Sequence, residues 1–80
     1  MKTSEFLDAI CESLNREPGS LTLDDTPETV PEWDSVGHLS ILATVDSKLG
    51  IATDSEDLQV FTSLRQLVEV LKSKGSPLED

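Results

Sequence analysis

Apolar residues recur along the chain at intervals of three and four, the period of a helix with one buried face. In SEFLDAICESLN, residues 4–15, Phe6, Leu7, Ile10, Cys11 and Leu14 form one stripe. Thr3 or Ser4 is placed to cap this helix, with Glu5 in its first turn. A second helix opens at Asp34 or Ser35 and stops at Gly50, a residue suited to the left-handed conformation that ends helices. Residues 55–60, SEDLQV, have room for one or two helical turns. The segment TSLRQLVEVLKSK, residues 62–74, predicts the last helix, with Leu64, Leu67, Val68 and Leu71 on one face. Ser63 and Gln66 match a capping box, Lys72 and Lys74 lie at the negative end, and Gly75 and Pro77 stop the helix. The tail, residues 76–80, is expected to be disordered.

Between the first two helices, residues 16–34 read as a long connection, because Pro18, Gly19, Pro27 and Pro31 interrupt any helix there. A loop of this length is functional or tied down. Leu21, Leu23, Val30 and Trp33 are the expected anchors. No run of alternating residues finds a partner run, so no strand pair is expected. These elements predict an all-α domain spanning residues 1–80. Its architecture is an antiparallel four-helix bundle of three main helices, one short helix and a long first loop.

The second helix carries more apolar surface than a small bundle can bury. At about 100° per residue, Ile41, Leu42, Val45 and Leu49 form the core stripe. Val36, Leu39 and Ala43 form another row. Either Leu39 is half-buried and Val36 incidental, or this row is an apolar surface for a partner.

Composition narrows the function. The chain has 80 residues, 16 acids and 6 bases, for a net charge of −10. So acidic a surface excludes nucleic acid as a partner and repels anionic lipid. The single cysteine forms no internal disulfide, and no spaced Cys/His set suggests a metal. The N-terminal segment lacks the apolar run of a signal peptide, and nothing is long enough for membrane insertion, so a monomeric cytoplasmic protein is expected.

Asp34 and Ser35 sit where a helix begins after a long loop. An acid or serine there is ordinarily a cap. The same place also suits a phosphate, because unpaired N–H groups and the helix dipole favour an anion. The run Glu32-Trp33-Asp34-Ser35-Val36-Gly37-His38-Leu39 resembles the phosphopantetheine attachment motif of acyl carrier proteins. The likeness extends to the first helix, the Pro-bearing loop, Leu49-Gly50-Ile51, the acidic stretch Thr53–Leu58 and Phe61-Thr62-Ser63-Leu64.

The resemblance implies a four-helix bundle that is not an enzyme. It implies that a phosphopantetheinyl transferase attaches 4′-phosphopantetheine from coenzyme A to Ser35. The arm's thiol then holds an acyl or aminoacyl group as a thioester for loading and acyl-transfer enzymes. Asp34 is the motif acid, and Val36 stands where the motif usually has Leu. Val36, Leu39 and Trp33 are the expected partner contacts. Between residues 35 and 49 the only full charges are Asp46 and Lys48, with Gly37, Ser40, Thr44 and Ser47 expected on the polar surface. In this the chain is more similar to discrete carriers of dedicated biosynthetic pathways than to the fatty-acid-synthesis type.

Other residues read more simply. His38 falls on the core-side arc and is expected to be partly buried; a Ser35–His38–Asp34 relay is crowded onto one turn. Cys11 belongs to the first core stripe. Trp33 is a loop anchor or a partner contact. Asp54, Glu56 and Asp57 form an acidic cap without the spacing of a calcium loop. The alternative function is a small acidic helical inhibitor, immunity-type or interaction protein without a prosthetic group.

The charge imbalance has a direct consequence. Raising ionic strength from low to physiological should raise the thermal midpoint, because screening relieves repulsion within the folded chain. A falling midpoint in a calorimetric salt series would show that attractive pairs dominate instead.

Overall fold

Three amphipathic segments form the principal helices, and the computed structural model describes residues 1–54, 56–76 and 78–79, with Asp57 described through its backbone only. Helix α1 spans Thr3–Ser13, α2 Ser35–Leu49, α3 Glu56–Gln59 and α4 Leu64–Ser73. Among the described residues there is no strand, and no helix is long and apolar enough to cross a membrane. Helix α1 packs on α2, and α3 on α4. Ser55, part of the expected short helix, lies outside the described residues.

Helix α1 begins and ends earlier than the sequence pattern suggested. Its N-cap is Lys2, whose backbone N–H donates to Glu5 Oε1 at 3.0 Å. Thr3 is already helical, and its N–H and hydroxyl both donate to the Glu79 carbonyl, at 2.7 and 3.0 Å. The first N–H groups of a helix have no acceptor within it, and the distant tail supplies one. At the other end Asn15 adopts φ 61°, and the Arg16 N–H closes onto the Cys11 carbonyl at 2.7 Å. Asparagine tolerates that left-handed conformation and ends the helix.

Within the tail expected to be disordered, Leu78 and Glu79 are placed against the rest of the chain. Leu78 is 8% exposed and joins the core, and the Glu79 N–H donates to the Met1 carbonyl at 2.8 Å. Burial of Leu78 and the open acceptor demand at the start of α1 together hold this segment. Pro77 and Asp80 lie outside the described residues.

Helix α2 is capped by Asp34 and closed by Gly50 at φ 67°. Helix α4 is capped by Ser63, whose Oγ accepts from the Gln66 N–H at 3.1 Å. Gln66 reaches back one residue further than a capping box requires: its Oε1 accepts from the Thr62 N–H and hydroxyl at 2.8 and 2.9 Å. The expected core faces are all inward. Phe6, Ile10 and Cys11 of α1, Ile41 and Val45 of α2, and Leu64, Leu67 and Leu71 of α4 are fully buried, and Leu58 of α3 and Phe61 close the cluster.

The long loop is tied down where expected. Leu21, Val30 and Trp33 are buried, and Leu23 packs half-buried against the core. Its backbone also serves α4: the carbonyls of Leu23 and Asp25 accept from the Arg65 and Leu64 N–H groups, at 3.0 and 3.2 Å. Arg65 pairs with Asp24 at 2.8 Å beside them. Within the loop, the Asp25 carboxylate accepts from the Thr22 N–H at 2.7 Å and from the Thr29 hydroxyl at 2.9 Å. The Thr22 N–H, with help from the threonine hydroxyls, holds the Asp25 carboxyl below its ordinary value against the opposing effect of burial. A carboxylate with a lowered folded pKa stabilises the fold fully above its unfolded pKa. That contribution is lost as pH falls through the folded value. Arg16 joins the two arms of the loop, donating to Glu32 Oε1 at 2.7 Å and to Ser20 Oγ at 3.2 Å.

The tail clasp has a measurable contribution. Leu78→Ala should destabilise the domain by about 2 kcal/mol, the low end for a core leucine because it lies near the chain end. Denaturant titration measures this, and an unchanged midpoint would show that the tail contact adds nothing to stability.

Candidate functional site

The turn from loop to α2 is built by four consecutive constraints. Asp34 takes an extended conformation, and its Oδ1 accepts from the Gly37 N–H at 2.9 Å. The His38 N–H donates to the Asp34 carbonyl at 2.8 Å, closing the first turn. Gly37 is buried, and a methyl group there would collide with the Glu32 carbonyl oxygen and stand 3.3 Å from Leu14 Cδ2. Only glycine lets the loop backbone lie this close to the helix. On the other side, Trp33 is 5% exposed, and its indole N–H donates to His38 Nδ1 at 3.1 Å.

These constraints leave Ser35 at the first helical position, exposed, with its Oγ in no hydrogen bond among the described residues. The N–H groups of Ser35 and Val36 lack intrahelical acceptors, and the helix dipole adds positive potential. Beside Ser35 lies an open groove of about 450 Å³ lined by Pro27, Trp33, Asp34, Ser35, His38 and Leu39. A larger groove, about 570 Å³, runs along α1 past Glu5, Asp8 and Glu12 and does not include Ser35.

His38 is half-buried and fully engaged. Its Nδ1 receives the Trp33 N–H, and its Nε2 lies 2.8 Å from the Gln59 carbonyl of α3. Neither nitrogen is left for the Ser35 hydroxyl, so the Ser35–His38–Asp34 relay is not formed. The Asp34 carboxylate is likewise spent on its cap. The imidazole stacks on Phe61, with centroids 4.5 Å apart, and Phe61 in turn meets the Trp33 ring at 5.5 Å.

The apolar row of α2 faces outward. Val36 is 71% exposed and Leu39 65% exposed, which removes the half-buried reading of Leu39. Trp33, by contrast, is packed as a loop anchor, 5% exposed, and also lines the groove beside Ser35. The expected polar surface of α2 also needs correction. Gly37 is buried under the loop, and Thr44 is buried with its hydroxyl on the Ser40 carbonyl at 3.0 Å. Ser40 and Ser47 remain at or near the surface and bond back to the helix through Val36 and Thr44 carbonyls.

Cys11 is buried, as its stripe requires. Asp54 and Glu56 are exposed, and the Asp57 side chain lies outside the described residues. Among the described residues no three His, Cys, Asp or Glu side chains gather to hold a metal ion. Sequence reasoning missed the close approach at Gly37 and the parts played by Phe61 and the Gln59 carbonyl. It also missed Val60, 61% exposed just after α3. A glycine in the first turn of a helix was the available signal for the close approach; contacts through a backbone carbonyl leave none.

No family model matches the chain, and no significant match was found among curated proteins or among solved structures.

The Gly37 contact makes a sharp test. Alanine favours a helix over glycine by about 1 kcal/mol. Overlap with the Glu32 backbone outweighs this, and Gly37→Ala should destabilise by roughly 2 kcal/mol net. A thermal midpoint at or above that of the native chain would show that the loop does not press on the helix at this point.

Proposed function

We propose that the chain is a carrier protein of four-helix-bundle type. It bears a 4′-phosphopantetheine arm on Ser35 and presents a tethered acyl or aminoacyl group to the enzymes of a biosynthetic pathway. The observation that carries this reading is the state of Ser35. It is exposed, with its hydroxyl unengaged among the described residues, at the first position of a helix capped by the preceding acid, within the run Glu32–Leu39 that resembles the attachment motif. An ordinary capping serine would spend its hydroxyl on the helix; here Asp34 does so, and Ser35 is left over.

The surroundings fit the group. Ser35 is exposed, and a phosphodiester there would meet the positive end of α2. The arm's terminal thiol supplies the thioester linkage that keeps a cargo activated. This chain's own part is to hold the attachment point at a rigid corner, so that a flexible arm delivers cargo at high effective concentration to each partner. A phosphopantetheinyl transferase is the first partner, followed by loading and acyl-transfer enzymes. Exposed Val36 and Leu39, on a helix whose only full charges are Asp46 and Lys48, favour partners that dock by apolar contact. The chain itself has no catalytic residue in this reading.

Coexpression with a phosphopantetheinyl transferase should add one phosphopantetheine to the intact protein mass. Ser35→Ala should abolish the increase while changing stability by no more than about 0.5 kcal/mol, because the Asp34 cap is retained. No increase in the native chain would favour an inhibitor or interaction protein, and an increase in the variant would move the arm to another residue.

A further inference from the structure

The neighbours of His38 restrict it more than burial does. The Trp33 indole nitrogen is a donor only, and the Gln59 carbonyl is an acceptor only. Both contacts are made at once, at 3.1 and 2.8 Å. Nδ1 must therefore accept and Nε2 must carry the proton, which leaves the neutral Nε2–H tautomer as the one form that satisfies both. In the other tautomer, or in the imidazolium, an Nδ1–H would face the Trp33 N–H. The ring is also fixed in plane by its stack on Phe61. These contacts tie the end of the loop and the adjoining first turn of α2 to the end of α3, 21 residues further along the chain.

Trp33 is two residues from Ser35, and the intervening Asp34 is committed to its cap. Fixing the indole thus fixes the backbone from which Ser35 departs. The Gln59 carbonyl fixes α3 relative to the same point. We infer that His38 is the positioning residue of the Ser35 corner: as the neutral Nε2–H tautomer it latches Trp33 to α3 and so sets how Ser35 is presented to the enzyme that modifies it. The inference rests on the carrier reading for its consequence, but not for its geometry. Both ring nitrogens of His38 are bonded away from the Ser35 hydroxyl, so it acts through Trp33 and the corner.

The test has two parts, both on the full chain. The sequence holds one Trp and one His, so their ring signals need no assignment strategy. Long-range 1H–15N correlation of the native protein should show a pyridine-type Nδ1 and a protonated Nε2 at neutral pH. An Nδ1–H tautomer, or averaging between tautomers, would overturn the latch whatever the protein does. The second part follows loading of Ser35 by a phosphopantetheinyl transferase with coenzyme A. Trp33→Phe keeps an aromatic ring and removes the bond to His38; His38→Phe removes that bond together with the one to the Gln59 carbonyl. Each breaks the link between Trp33 and α3 and should raise KM for the carrier by about three- to tenfold with kcat little changed, the scale of a lost hydrogen bond. The double variant should be no worse than either single, since both remove the same latch. His38→Gln, which keeps one acceptor and one donor, should recover part of the loss. Independent, multiplying effects, or unchanged KM in soluble and folded variants, would overturn the positioning role. Failure of the native chain to load at all would instead overturn the carrier reading and the role toward Ser35 with it, leaving the tautomer result as a fact of the fold.

Discussion

The approach of the Glu32 carbonyl to Gly37 governs the rest of the molecule. It brings the end of a long loop onto the first turn of α2 at backbone distance, where no side chain fits between them. Trp33 then falls into the core beside Phe61, and Asp34 falls into the capping position. Ser35 is what this arrangement leaves outside. A bulkier residue at position 37 would lift the loop, and the indole, the cap and the serine would all move with it.

The loop itself is ordered by being useful to other elements. Ordering a residue's backbone opposes folding by about 1–2 kcal/mol, so a connection of this length needs compensation throughout. Leu21, Val30 and Trp33 supply apolar burial. The carbonyls of Leu23 and Asp25 supply acceptors to the first turn of α4, which a helix cannot provide for itself. The C-terminal Glu79 does the same for α1. The helix N-termini thus hold down the segments that would otherwise be loose, and the same bonds satisfy both parties.

Helix α2 combines two surfaces of different kinds. Ile41 and Val45 face a closed core, while Val36 and Leu39 face solvent, on a helix whose only full charges are Asp46 and Lys48. In the proposed carrier role, a nearly neutral helix beside the attachment point of an acidic chain favours partners chosen by apolar complementarity over electrostatic steering. His38 lies between the two surfaces. Its bonds to Trp33 and the Gln59 carbonyl and its stack on Phe61 link the solvent-facing corner to the buried aromatic cluster.

Much of this was legible from the chain alone, for a local reason. Helical period, caps and stops depend on residues three or four apart, so the core faces of α1, α2 and α4, the Asp34 and Ser63 caps and the Gly50 stop could be read directly. The resemblance around Ser35 likewise rests on a contiguous run. The anchors of the loop followed from its apolar residues. What sequence spacing could not show was any contact whose partner lies far along the chain or is a backbone atom. The Glu79 carbonyl on Thr3, the Gln59 carbonyl on His38 and the Glu32 carbonyl over Gly37 carry no side-chain signature. For that reason Gly37 and Thr44 looked like polar surface, the tail looked free, and His38 looked like ordinary core filling. The local code determined which segments are helical and which face of each is apolar; only the tertiary structure decided which backbone groups meet, because such contacts depend on how the helices and loop come together in space.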